Sequence, residues 1–214
     1  TLDREDAEEI YDEYEIEVSS TTPEIRKRKI EEIIKELDTI PLSTEGALKF
    51  EEWCLKAIRI AFAGFLRNVE LRPNRAATQR RDIIATNLSD TGVWHRILTD
   101  YKTRQIIFEI KNYAKLNRED YRQMLSYLTG EYGRLGFIIN RDDDVSITKD
   151  RELAWVKELY NHDAKVLIIK LTGKYLCSIL ERLCSAQKHD YSDKSLNKLL
   201  DNYVRLYLVG QKEK

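Results

Sequence analysis

The chain has 214 residues and a mass of 25.2 kDa, with 42% hydrophobic residues, 34% charged residues and a formal net charge of −1. That is enough to bury one full core beneath a heavily charged surface. No apolar run approaches the roughly 20 residues that a membrane-spanning helix needs, and no stretch reads as a secretory leader.

In chain order, residues 3–16 read as a charged helix, and Thr22-Pro-Glu24 opens a second helix that ends near Leu37. This first part is strongly acidic, with runs such as Asp6-Ala-Glu-Glu9. Pro41 and the polar Ser43-Thr-Glu-Gly46 segment mark a break, so residues 1–44 read as an acidic helical extension or linker and residues 45–214 as the main domain. The first residue is Thr rather than Met, and the expectation is a piece of a longer polypeptide. A long helix follows, with Leu48, Trp53, Leu55, Ile58, Phe62 and Phe65 among its apolar positions. Two short strands come next, at 69–71 and 81–85, joined by a hairpin connection around Arg72-Pro-Asn-Arg75. Then come a short helix near 92–98, a strand at 105–111, a helix at 117–132 and a buried strand at 136–140. A helix at 150–160, a strand at 166–171 and two amphipathic helices complete the chain. This order implies an α/β fold: a mixed central β-sheet flanked by helices on both faces, with an N-terminal helical extension.

One strand carries residues that its core does not need. In Gln105-Ile-Ile-Phe-Glu-Ile-Lys111, Glu109 and Lys111 stand two apart and share a face, while Phe108 and Ile110 take the other. A carboxylate and an ammonium beside a core cost free energy unless something there uses them. The tripeptide itself is common in this chain: Asp100-Tyr-Lys102 and Asp163-Ala-Lys165 have the same form. Only Glu109 lies inside an apolar strand, with an edge-strand ion pair as the plain alternative. A second carboxylate, Asp82, heads the run Asp82-Ile-Ile-Ala85. Two acids and a lysine on a sheet point to a metal site and to phosphodiester chemistry.

A helix bearing Glu51, a strand bearing Asp82, then Glu109-Ile-Lys111, then a helix resembles the restriction-endonuclease-like PD-(D/E)xK nuclease superfamily. Gln123 and Tyr127 are similar to the Gln-x-x-x-Tyr element of RecB-type members, and Lys49-Phe-Glu-Glu-Trp53 resembles the Phe-Glu start of Mrr-type members. The resemblance covers about residues 45 to 171, and it departs from the family where Arg81 replaces the proline before the acid. It implies an Mg²⁺-dependent endonuclease, with Mn²⁺ as a substitute, held by Asp82, Glu109 and the backbone carbonyl of Ile110. Lys111 would orient the attacking water or stabilise its developing charge, and Gln123 would hydrogen-bond near the lysine or phosphate. Glu51 is the candidate outer or second-metal ligand, with Glu52 its rival. The family mechanism is direct attack by water, leaving 5′-phosphate ends.

The stretch from Arg67 to Arg122 is basic, and Arg72, Arg75, Arg81, Lys115, Arg118 and Tyr127 are the candidate substrate contacts. The expected partner is DNA, with RNA as an alternative, and the wider setting is the effector part of a restriction or phage-defence protein with sensor or NTPase domains elsewhere and a homodimer as one arrangement. The rival function is a nuclease-like module that binds DNA or a protein partner without cutting. Other motifs weigh less. Asp142-Asp-Asp144 reads as turn and cap residues, and Thr172-Gly-Lys174 lacks the upstream glycine of a phosphate loop. His95, His162 and His189 form no ligand set, and Cys54, Cys177 and Cys184 are an odd number without metal-binding spacing. Together the cysteines suggest a reduced, cytoplasmic setting.

Overall fold

A computed structural model describes residues 23–73, 81–128, 130–149, 151–162, 165–185 and 190–208. The helix expected at 3–16 lies outside them. Helix α1 (Pro23–Thr39) starts with proline at its first position, where a missing N–H costs nothing, and Glu24 faces the positive end of the helix dipole. Its Ile30, Ile33 and Leu37, with Ile40 beyond, are buried in the same core as the rest of the molecule. This part of the acidic segment is therefore packed on the domain. Helix α2 (Ala47–Ala61) buries Phe50, Trp53, Cys54, Ala57 and Ile58. The Trp53 indole N–H donates to the Ile33 carbonyl at 2.7 Å and fixes α2 against α1.

The sheet has five strands in sequential order: β1 (Leu66–Leu71), β2 (Ile83–Asn87), β3 (Gln105–Ile110), β4 (Leu135–Asn140) and β5 (Leu167–Thr172). The first three form an antiparallel meander, and β3, β4 and β5 run parallel. Strands β4 and β5 are buried at every position, as parallel strands covered on both faces must be. The crossovers β3–α4–β4 and β4–α5–β5 pass through α4 (Arg118–Tyr127) and α5 (Glu152–His162). Both shift the chain one strand in the same direction, so the right-handed rule sets both helices on one face. On the other face Phe108 stacks on Phe137 at 5.1 Å, and Trp94 meets Phe62 edge-on at 5.0 Å. Trp94 belongs to α3 (Gly92–Tyr101), whose end is marked by Lys102 in the left-handed region.

The chain closes with α6 (Gly173–Leu183), capped by the Thr172 hydroxyl, and α7 (Tyr191–Asn202), which continues as a π-helical turn, Tyr203–Leu208. Here the Tyr203 hydroxyl accepts the Lys170 backbone N–H at 2.8 Å, covering part of the edge of β5. Among the described residues no helix is long and apolar enough to cross a membrane.

One junction joins α1 to the sheet. Asn112, just past β3, donates its side-chain amide to the Pro41 and Ser43 carbonyls, each at 2.7 Å, and its own carbonyl accepts the Ser43 N–H at 2.8 Å. Arg141 donates to Asn112 Oδ1 at 3.2 Å and to the Leu37 and Ile40 carbonyls, with its guanidinium over the Phe50 ring. Gly46 is required here, because a Cβ would run into the Pro41 carbonyl oxygen.

Candidate active site

The site is assembled at the end of the sheet where β3 leaves and β2 enters. Asp82 immediately precedes β2, and its Oδ2 accepts the Ile110 backbone N–H at 2.8 Å. The N–H and C=O of one strand residue face the same neighbour, so the Ile110 carbonyl is directed to Asp82's side of β3. Glu109 is 3% exposed. Its Oε1 lies 3.0 Å from Lys111 Nζ, and its Oε2 is sealed from solvent with no hydrogen-bond partner. Lys111 donates to Gln123 Oε1 at 2.8 Å, and Gln123 Nε2 donates to the Tyr127 hydroxyl at 2.8 Å. Gln123 and Tyr127 are four apart on α4 and therefore share a face, as the sequence led one to expect.

The electrostatics follow from this crowding. Burial pushes Asp82 up to about 6, against the pull of the Ile110 N–H, and the charge of Glu51 adds to the rise. Burial also pushes Glu109 up to about 7, with the Asp82 charge reinforcing it and Lys111 opposing it. Burial works to lower Lys111, but the charge of Glu109 and the hydrogen bond to it more than reverse that, so it stays protonated.

Two supporting residues, Asp120 and Tyr113, were not singled out from the sequence. Asp120 is buried on α4, 3.8 Å from Lys111 Nζ, and its Oδ1 accepts the Tyr113 hydroxyl at 2.6 Å. Its Oδ2 accepts the Asn117 N–H at 2.8 Å, completing a capping box. The Asn-x-x-Asp spacing at 117–120 is a local pattern of a helix start. That the same carboxylate faces Lys111 depends on how α4 docks, and no local pattern carries it.

The remaining expected residues are distributed unevenly. Glu51 is half-buried and lies close enough to raise Asp82, whereas Glu52 is exposed. The carboxylate of Glu51 is paired with Arg72, so neither is free in this arrangement. Arg118 pairs with Glu158 on the exposed side of α4 and α5. Lys115 is exposed in the loop after β3. Arg81 is buried, its guanidinium 4.1 Å from the Tyr132 ring centre and 5.4 Å from that of Tyr127. Arg75 lies outside the described residues. Asp142 caps its own turn, accepting the N–H groups of Asp143 and Asp144.

Among the described residues no three His, Cys, Asp or Glu side chains converge as a ready metal cage. The donors present are two carboxylates and a strand carbonyl, all hard oxygens of the kind that Mg²⁺ takes alongside retained water. The sealed, partnerless Glu109 Oε2 fits a cation as its missing partner, because a buried acceptor without a donor is costly.

In comparisons with known proteins, no family model matches the chain, and no solved structure matches it. Over 206 residues it is 48% identical to an 80.3 kDa protein named for transposon gamma-delta, from Escherichia coli (strain K12). The match takes in 96% of this chain and 29% of that protein, so the chain spans less than a third of the relative's length.

Proposed function

We propose that this chain is a divalent-metal-dependent nuclease domain that hydrolyses phosphodiester bonds in DNA. The observation that carries the reading is the Glu109 carboxylate, buried beside Asp82 with one oxygen bound by Lys111 and the other bound by nothing. Asp82, Glu109 and the Ile110 carbonyl would hold the cation. When bound, it would polarise the phosphoryl oxygens and acidify a water. Lys111 has three N–H donors. Two point to Glu109 and Gln123, and Asp120 stands at 3.8 Å, beyond hydrogen-bond range. One donor is therefore available for the attacking water or a phosphoryl oxygen. Gln123 keeps the ammonium in place, and Tyr127 keeps Gln123 in place. In the in-line reaction that the resemblance implies, water oxygen bonds to phosphorus as the bond to the 3′ oxygen breaks. That oxygen leaves as a hydroxyl and the 5′ side keeps the phosphate.

The relative's name refers to a transposon, a DNA element, which favours DNA over RNA as the substrate. A module that binds DNA or a partner without cutting offers no use for the isolated Glu109 oxygen.

The test is plasmid cleavage with Mg²⁺ or Mn²⁺, with and without chelator. Metal-dependent cutting is expected from the chain as it stands, and loss of cutting in Asp82→Ala, Glu109→Ala and Lys111→Ala variants that keep their circular dichroism. Full activity in the Glu109 variant would remove the reading.

A further inference from the structure

We infer that Arg81 is a built clamp for a DNA backbone phosphate next to the scissile one, held ready by Tyr127 and Tyr132. The inference rests on the proposed function and assigns a role to the residue that stands where the resembling family has proline.

Several other cations of the domain have carboxylates: Arg72 has Glu51, Arg118 has Glu158, and Lys170 has Asp142 and Glu152. Arg81 has none among the described residues. Among the described residues it meets two aromatic rings, Tyr132 at 4.1 Å and Tyr127 at 5.4 Å. It is 9% exposed, and its Nε is sealed from solvent with no acceptor. A guanidinium cannot shed its proton, so this is a nine-tenths buried charge without a counter-ion. Ring faces offset only part of what desolvating such a cation costs. The terminal nitrogens make no hydrogen bond with the described residues and are not among the sealed atoms, so the remaining exposure admits an acceptor. The missing partner is therefore an anion arriving from outside.

Position makes that anion a phosphate of the substrate strand. Arg81 is joined by one peptide bond to Asp82. Through Tyr127 it is also joined to the catalytic lysine, because Lys111 donates to Gln123 and Gln123 to the Tyr127 hydroxyl. The ring that fixes Arg81 thus also fixes Gln123. The planar fork matches two phosphate oxygens, which a lysine's point charge does not.

The experiment is fluorescence anisotropy of a labelled 20-base-pair duplex in chelator, across a salt series, with plasmid cleavage in Mg²⁺ measured separately. Arg81→Met keeps the stem between the rings. It is expected to weaken binding about tenfold and to reduce the salt slope by about one. Arg81→Lys is expected to keep the slope but not the affinity. Wild-type affinity and slope in Arg81→Met overturn the clamp. Should that variant fail to fold, full affinity in Arg81→Lys overturns the two-oxygen clamp instead. A wild-type chain that binds through Arg81 yet never cuts overturns only the hydrolytic reading, and one that does not bind the duplex overturns both.

Discussion

Glu109 and Lys170 stand in one lateral row of the sheet, joined by Ile138 between them, yet their surroundings differ in completeness. Lys170 is fully buried, with Asp142 at 3.0 Å and Glu152 at 2.9 Å. Every oxygen of those acids has a donor: Glu152 also takes the Tyr121 hydroxyl at 3.3 Å, and Asp142 takes backbone N–H groups. Although burial works to raise Asp142, its bonds with Lys170 hold it below the usual range, whereas burial keeps Glu152 raised against the pull of Lys170 and Tyr121. Around Glu109 the supply falls short. One ammonium, Lys111, serves Glu109 and lies near Asp120 and Asp82, one oxygen is left over, and both Asp82 and Glu109 are raised. The same sheet face thus holds one closed ion cluster and one open one. A closed cluster specifies the packing of α4 and α5, whereas an open one is ready for a ligand.

The largest expected effect that sharpens this contrast is on turnover. Glu109→Gln keeps the shape and removes the charge. Plasmid cleavage should fall by a factor on the order of a thousand, while the urea midpoint at pH 8 rises, because a buried charge has gone. A lower midpoint would mean that Glu109 is structural after all.

Next in size, Lys170→Met should lower stability by about 3–5 kcal/mol in urea, since it strands Glu152 without its cation. Lys111→Met should cost about 1 kcal/mol or less, because the raised carboxyls beside it can take up protons. Equal losses in the two variants would break the comparison.

The order of the elements was legible in the sequence because apolar residues recur with strand and helix spacing, and Pro23 marks a helix start. Glu109 and Lys111 were legible because a polar pair interrupts an apolar strand. Lys170 interrupts its strand in the same way, but its partners lie 18 and 28 residues away, and no spacing announces them. The engagement of Arg72 by Glu51 and the setting of Arg81 between two rings likewise depend on docking across the sheet. Local periodicity fixes which face a residue takes, and long-range packing decides whom it meets.

A third effect concerns pH. Asp82 and Glu109 sit at about 6 and about 7, against ordinary values of 3.8 and 4.5. Both are raised, so the folded protein binds protons that the unfolded chain has released. Stability should therefore increase as pH falls from 8 to about 5, by up to about 4 kcal/mol, with nothing gained above the folded values. Mg²⁺ should flatten this trend by stabilising chiefly at pH 8, where both groups are ionised. Asp142 is lowered and acts oppositely, its contribution vanishing only as pH drops below about 4. A urea midpoint level between pH 8 and 5 without metal would show that the open cluster is as closed as the other.

The smallest effect is that of Tyr127→Phe, which removes the acceptor of the Gln123 amide but keeps the ring beside Arg81. Cleavage should fall a few-fold, in keeping with about 1 kcal/mol for one neutral hydrogen bond, with duplex binding unchanged. Weaker binding would mean that the hydroxyl, as well as the ring, serves Arg81.

The Asn112 junction gives the molecule a handle. Asn112 is bonded covalently to Lys111 and through its side chain to Pro41 and Ser43. The arm that leads into α2 is thereby tied within one residue of Lys111, and Arg141, resting on the Phe50 ring, holds the Asn112 amide oxygen.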